Sequence, residues 1–323
     1  MTTVNLVTGG CGFIGSHMVN LLLRKEEFVI NVDKISNVSN VYNIDKKLTK
    51  SNYKLEQLDI CDKIQLERLI TRVNPDKIFH FAAESHVDNS ILAPDGSIQS
   101  NIIGTFNLLE AIRHTNPQMK FIHVSTDEVY GSLGDYGAFT ENSQYSPNSP
   151  YSASKAASDH LVRAWHKTYG LNTLITNCSN NFGPNQHTEK FIPKVITRLI
   201  NGEQVPLYGT GANVRDWLFV KDHVEVLYAL SNIDNIQGKK FNIGGGIEKS
   251  NFDLIVEIHG ILNERGLVTQ QVQDCFEFVE DRPGHDFRYA IDDSELNSIL
   301  TKRQMTNFKD AINLTIDYYA GRV

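Results

Sequence analysis

Short apolar runs alternate with longer stretches of helical spacing through the first half of the chain. Val4-Asn5-Leu6-Val7-Thr8 reads as a strand, and His17 to Arg24 as a helix with Met18, Leu21 and Leu22 on one side. Phe28 to Val32 is a second strand that ends at Asp33, and Tyr53 to Leu58 a third, closing on Asp59-Ile60. Asp62 is placed to cap a helix running to Val73, which Asn74-Pro75 ends, because proline has no amide proton to continue the ladder. Lys77 to Ala83 predicts a strand and Ser97 to His114 a helix, with Ile98, Ile102, Thr105 and Leu109 on one side. Phe121 to Ser125 predicts a strand, Tyr151 to Tyr169 a helix, and Leu171 to Asn177 one more strand. About six strands alternating with helices predict an α/β fold built on a doubly wound parallel sheet.

Beyond Cys178 the rhythm loosens. Helical patterns cover Lys190 to Ile200, Asp222 to Leu230, Asn251 to Glu264 and Asn307 to Tyr319, with strand-like Val205 to Tyr208 and Val272 to Val279 between them. The chain has no internal repeat and no long linker. Residues 1–177 are therefore expected to form one domain, and 178–323 mainly a smaller lobe braided with it, part of 217–243 returning to the first.

Composition narrows the function classes. A net charge of −7 argues against nucleic acid or an anionic membrane as the main partner. Cys11, Cys61, Cys178 and Cys275 are scattered, with no spacing suited to a disulfide framework or a metal site, and read as free thiols. No apolar run approaches the ~20 residues of a membrane span, and a first strand at Val4 leaves no room for a leader, so a soluble cytoplasmic protein is expected.

Four features carry chemistry. Gly9, Gly12 and Gly15 sit between the first strand and first helix, where glycines permit a tight turn and close approach to a pyrophosphate at a positive helix end. Asp33, at the end of the second strand, stands where a carboxylate binds the adenosine ribose and repels a 2′-phosphate, which favours NAD over NADP. Tyr151 and Lys155, four apart, share a helix face, and an ammonium beside a phenol makes a base of a group that titrates near ~10. Ser125, Thr126, Asp127 and Glu128 are delivered to the carboxyl end of a strand, the edge where open α/β sheets bind ligands.

Together, Thr8-Gly9-Gly10 to Gly15, Ser125-Thr126 and the Tyr151/Lys155 pair resemble the extended short-chain dehydrogenase/reductases that act on nucleotide sugars, with an NAD-binding Rossmann domain. Ser125 to Gly131, Ser179-Asn180-Asn181, Glu189-Lys190, Arg215-Asp216-Trp217 and Asp281 to Asp286 narrow the resemblance to the dTDP-glucose 4,6-dehydratases, over essentially the whole chain. The resemblance implies a lyase that removes water from dTDP-glucose or UDP-glucose through transient NADH, in deoxysugar (rhamnose-type) biosynthesis. Tyr151 would take the 4-hydroxyl proton, with Lys155 lowering its pKa and Thr126 bonded to the same oxygen. Glu128 would remove the carbon-5 proton, and protonated Asp127 would donate to the leaving 6-hydroxyl.

It also implies cofactor contacts by Phe13, Ile14, Asp59, Ile60, Ala82, Ala83, Ser85, Asn101, Ser125 and Asn181. Ser85, Thr126, Asn180, Glu189, Lys190, Pro206, Tyr208, Arg215, Asn251 and His285 would hold the sugar nucleotide, Glu189 and Lys190 reading equally well as surface ion pairs. Helices Ser97–His114 and Tyr151–Tyr169 resemble the pair that builds an intermolecular bundle, implying a homodimer. Asn89 and Asn185-Gln186-His187-Thr188 depart from the bacterial dTDP pattern and look more like the UDP-glucose enzymes of plants, which leaves the donor base open. A 4-epimerase would lack the Asp127-Glu128 pair, and a non-catalytic NAD-sensing regulator would be expected to lose Tyr151 or Lys155.

Overall fold

The computed structural model describes residues 3–301 and 303–321. Strands β1 (Val4–Thr8), β2 (Phe28–Asp33), β3 (Tyr53–Gln57), β4 (Lys77–His80), β5 (Lys120–Thr126) and β6 (Thr173–Cys178) lie in one sheet. After them come β7 (Asn180–Phe182), β8 (Val205–Tyr208), β9 (Val214–Phe219), β10 (Lys240–Ile243), β11 (Glu248–Ser250) and β12 (Phe276–Val279). The main sheet has seven strands in the order β10-β6-β5-β4-β1-β2-β3, every neighbouring pair parallel. The doubly wound sheet expected from the sequence is present, one strand wider than expected. The extra edge strand, Lys-Phe-Asn-Ile, is short and half polar, so its apolar pattern is too weak to stand out.

Near-continuous apolar strands follow from helices covering both faces. Successive side chains point to opposite sides. Val7, Phe79 and Ile122 meet α1 (Phe13–Arg24), while their neighbours Leu6, Ile78 and Phe121 meet α2 (Lys63–Val73). Short α3 (Val87–Leu92) and α4 (Asp95–Ser97) precede a π-helical stretch at Ile98–Ile103, which continues into α5 (Gly104–Thr115). The single helix expected from Ser97 to His114 is thus interrupted, and the loop expected after β4 holds α3. Helix α6 (Pro150–Tyr169) packs beside α5 and is fixed at both ends. Ser149 and Ser152 form a capping box, Pro150 occupies the first turn, and Gly170 closes the other end in a left-handed conformation.

The C-terminal half has its own core, formed by α7 (Phe191–Ile200), α9 (Asn251–Glu264) and α11 (Phe308–Ala320) with β7, β8 and β9. Two segments return to the main sheet. Helix α8 (Val220–Ser231) packs against α1, and β10 pairs with β6, with α10 (Ser294–Ile299) against it. The order reverses between β1 and β4, so their carboxyl ends part and leave a crevice over the sheet.

That crevice needs the β1–α1 turn to be thin. Gly9 has φ +70°, and a Cβ on Gly15 would sit 2.2 Å from the Gly9 carbonyl oxygen. Gly15→Ala is therefore expected to cost roughly 1–3 kcal/mol, as overpacked sites do, read as a lower urea midpoint with an unchanged m-value.

Candidate active site

The crevice is lined by the β1–α1 turn, the ends of β2, β4 and β5, the start of α6 and the segment after β6. Gly12 caps α1 without a side-chain bond, so the first-turn amides are open to an anion. Asp33 is buried at the end of β2, where its carboxylate accepts from the Cys11 and Ile35 amides at 2.9 and 2.8 Å and from the Ser39 hydroxyl at 2.7 Å. Gly9, Gly12, Phe13, Ile14, Gly15, Asp33, Asp59, Ile60, Ala82, Ala83, Ser85, Ser125 and Asn181 all line this half. Ser125 lines the crevice, and its Oγ is buried without a hydrogen-bond partner, while a Cβ on Gly9 would strike the Ala82 backbone at 2.7 Å. An extended dinucleotide fits this donor set. Asn101 does not line the crevice. Its amide clamps the backbone of Glu84 on both sides (2.8 and 3.0 Å) and reaches the Ser154 hydroxyl at 2.8 Å, so it shapes the wall from behind.

Tyr151 lies in the capped first turn of α6, with Lys155 one turn on, and both line the crevice. Lys155 donates to the Val124 carbonyl at 2.9 Å. Burial holds the Tyr151 phenol well above its ordinary pKa, reinforced by Glu128, Cys178 and Asp127, while a hydrogen bond with Thr126 opposes this. The groups around the phenol thus work against the phenolate, desolvation first and the two carboxyls after it.

Thr126 ends β5 and caps the turn that follows, accepting from the Glu128 amide at 3.3 Å. The two acids come out differently. Asp127 is 1% exposed; burial first, then Glu128 and Asp216, push its pKa far up. Thr126 donates to Asp127 Oδ1 at 3.2 Å, and Oδ2 is buried with no hydrogen-bond partner. Glu128 is half-buried and lines the crevice. Burial raises it too, but Arg282, Lys190 and Arg215 pull it back. The arrangement sets a carboxyl held far above its usual range, behind the crevice wall, next to one that ionises more readily and lines the crevice with Tyr151 and Lys155.

The sequence profile of the GDP-mannose 4,6 dehydratase family matches residues 6–315. The chain belongs to that family. It is 45% identical over 328 residues to a dTDP-glucose 4,6-dehydratase of Neisseria meningitidis, covering 97% of this chain and 92% of the relative. The dTDP-glucose 4,6-dehydratase DesIV of Streptomyces venezuelae, solved with NAD bound, superposes with a TM-score of 0.91 at 40% identity, covering 99% and 97% of the two chains. A UDP-glucose 4-epimerase of Thermus thermophilus, also solved with NAD, has a TM-score of 0.87 at 27% identity over 99% of this chain and all of its own.

The C-terminal half meets the crevice through loops. Asn180 and Lys190 line it, and the Lys190 ammonium reaches across to the Ser85 carbonyl at 2.8 Å. Glu189 is exposed, within 3.4 Å of both His86 and His187. Arg215 is buried, its guanidinium on the Val214, Asp286 and Phe287 carbonyls and 4.4 Å from the Tyr289 ring centre. His285 bonds Asp281 at 2.6 Å and meets Tyr208 edge-on, 6.1 Å between ring centres. Pro206 and Tyr208 lie on β8, and Asn251 opens α9. These last five, with Glu189, lie outside the lining of the dinucleotide crevice. Arg282 was not among the residues expected at the site. It pairs with Asp88 of α3 at 2.9 Å and lowers Glu128, and its partners are too distant in sequence to leave a local signal.

Asp127 binds its proton more tightly folded than unfolded. Its contribution to stability is full below the unfolded value of ~3.9 and falls as pH rises toward the folded one. Asp127→Asn keeps the shape without the charge, so its Tm relative to the parent is expected to rise from pH 4 to pH 8. Calorimetry at both pH values checks this; a difference that does not change with pH would mean an ionised Asp127.

Proposed function

We propose that this protein is an NAD-dependent nucleotide-sugar 4,6-dehydratase, a hydro-lyase that converts dTDP-glucose to its 4-keto-6-deoxy derivative and water. The observation that carries this reading is the carboxyl pair: Asp127, buried with an unpartnered Oδ2, next to a more readily ionised Glu128 that lines the crevice with Tyr151. The relatives named dTDP-glucose 4,6-dehydratase and the NAD-bound solved structures support the substrate and the cofactor.

NAD, when bound, supplies the acceptor that takes a hydride from carbon 4 and gives it back at carbon 6. Tyr151, as its phenolate, would accept the 4-hydroxyl proton; Thr126 bonds the same oxygen, and the positive charge of Lys155 favours the phenolate form beforehand. Oxidation at carbon 4 makes the neighbouring carbon-5 hydrogen acidic, and Glu128 removes it. Asp127 gives its proton from Oδ2 to the 6-hydroxyl, so the carbon–oxygen bond breaks with water as leaving group. Glu128 returns a proton to carbon 5, and Tyr151 keeps the ketone oxygen in place. Residues 1–177 hold the cofactor in this reading, and 178–323 the sugar nucleotide, with Arg215 and His285 on the diphosphate.

UDP-glucose is a second substrate to test, since thymine and uracil differ by one methyl, worth roughly 1–3 kcal/mol in an apolar pocket. Asn89 and Asn185 bear less on the base than their sequence neighbours suggest: Asn185 bonds Ser16 of α1 at 3.2 Å, at the cofactor half, and Asn89 lies on α3. A 4-epimerase has no use for a proton donor at carbon 6, and a regulator none for an intact Tyr151/Lys155 pair. Among the described residues no helix is long and apolar enough to cross a membrane.

Two chains are proposed to associate through α5 and α6. Ile98 and Ile103 are 42% and 39% exposed at the start of that helical stretch, where a partner's matching face would cover them. Light scattering is expected to give twice 36.4 kDa for the parent and a single chain mass for Ile103→Glu.

Deuterium placed at carbon 4 of dTDP-glucose is expected at carbon 6 of the product, and reaction in heavy water is expected to place solvent deuterium at carbon 5. Product retaining the 6-hydroxyl, with label back on carbon 4, would identify an epimerase. Glu128→Gln should allow the first oxidation and block elimination, lowering turnover by about 10²–10⁴ while reduced-cofactor absorbance accumulates.

A further inference from the structure

The polar groups behind Lys155 take no part in the steps above. Asp159 stands one turn further along α6 and is 2% exposed, against 4% for Lys155. Three elements hold its carboxylate. Tyr145, from the loop before α6, donates to Oδ2 at 2.7 Å; Asn177 of β6 donates to the same oxygen at 3.1 Å; and His123 Nε2 of β5 lies 3.2 Å from Oδ1. Asp159 Oδ1 accepts no hydrogen bond, while the Lys155 ammonium, with three protons, gives one to Val124.

Burial lowers the proton affinity of Lys155, and Asp159 is the foremost group working against that loss. Burial would raise Asp159, yet His123, Lys155 and Tyr145 hold it below the usual carboxylate range. The other titratable groups around the pair leave this balance standing. Burial and Lys155 push His123 down to about 4, and burial takes His80 of β4 well below its usual value, so both rings are neutral. Burial pushes the Cys178 thiol of β6 up to about 12. Lys240 of β10, 3.4 Å from the Tyr145 hydroxyl, is a second cation that Asp159 supports, ahead of Glu141.

We propose that Asp159 is a positioning residue for the proton-transfer pair: the buried counter-charge that keeps Lys155 an ammonium next to Tyr151. It rests on Tyr151 serving as the base. An ammonium enclosed in a core with no negative partner sheds its proton, and a neutral amine cannot favour the phenolate. Two donors fix Asp159 from outside α6, so its charge is held at one place on the helix.

Lysine labelled with ¹³C at the ε position reports the titration of Lys155, whose resonance is the one missing from Lys155→Met. In Asp159→Asn, Lys155 is expected to titrate about one unit or more below the parent, and the alkaline limb of kcat to move down with it. The KM for dTDP-glucose is expected to stay within about twofold, because Asp159 does not reach the crevice. A folded Asp159→Asn with an unmoved titration overturns the proposal and leaves Asp159 a structural residue. Asp159→Glu and Tyr145→Phe keep the charge and must keep the Lys155 titration; a shift of about a unit in either also overturns it, whether or not Asp159→Asn folds. Absence of dehydratase activity would refute the functional reading alone, since the resonance reports the Asp159–Lys155 coupling without turnover.

Discussion

Removal of carboxyl groups from water governs the site more than any contact within it. At the carboxyl end of β5 the chain turns inward, so Asp127 is enclosed while Glu128 reaches the crevice. Two adjacent acids with nearly equal intrinsic pKa values are both raised, Asp127 much further than Glu128. The cations near them act unequally. Arg282, Lys190 and Arg215 all draw on Glu128, whereas Asp127 feels Arg215 against the added repulsion of Glu128 and Asp216. The same enclosure lifts Tyr151 and depresses Lys155, so burial disfavours the charged form of both.

How much of this was legible in the sequence follows from how local each feature is. The glycine turn, the Asp33 carboxylate and the Tyr151/Lys155 spacing each lie within one strand–turn–helix unit, so their pattern survives in the linear chain. The parallel, doubly wound sheet follows from the alternation of strand and helix. The seventh strand did not stand out, because Phe241 and Ile243 alone do not make a pattern. Nor did the π-helical turn at Ile98–Ile103, whose apolar spacing reads as an ordinary helix. Links across the crevice mouth were hidden for another reason. Arg282 meets Asp88, and Lys190 meets Ser85, across 194 and 105 residues of sequence. The Tyr151/Lys155 spacing says nothing of how dry the pair is, and burial is the largest influence on both.

The second lobe is fastened to the cofactor half from several directions. Pro184 and Asn185 touch His17 and Ser16 of α1, and the Tyr319 hydroxyl, from the far end of the chain, bonds the Gln186 carbonyl. Burial foremost, despite the Pro184 bond, drives His17 down to about 4, so this junction stays uncharged through the neutral range. Motion of the loop after β7 is thus tied to α1, whose first turn is the anion end of the crevice.

The pairing of β10 with β6 has a consequence for how the chain is made. Residues from Thr173 to Cys178 leave the ribosome well before Lys240 to Ile243, so during synthesis β6 is the unprotected border of a growing sheet. Its unpaired amides and carbonyls are then free to add a strand from another nascent chain. A fragment ending near residue 177 would carry that border permanently and tend to aggregate, however complete its nucleotide cradle. The braid that returns the chain from the second lobe is thus also what seals the first.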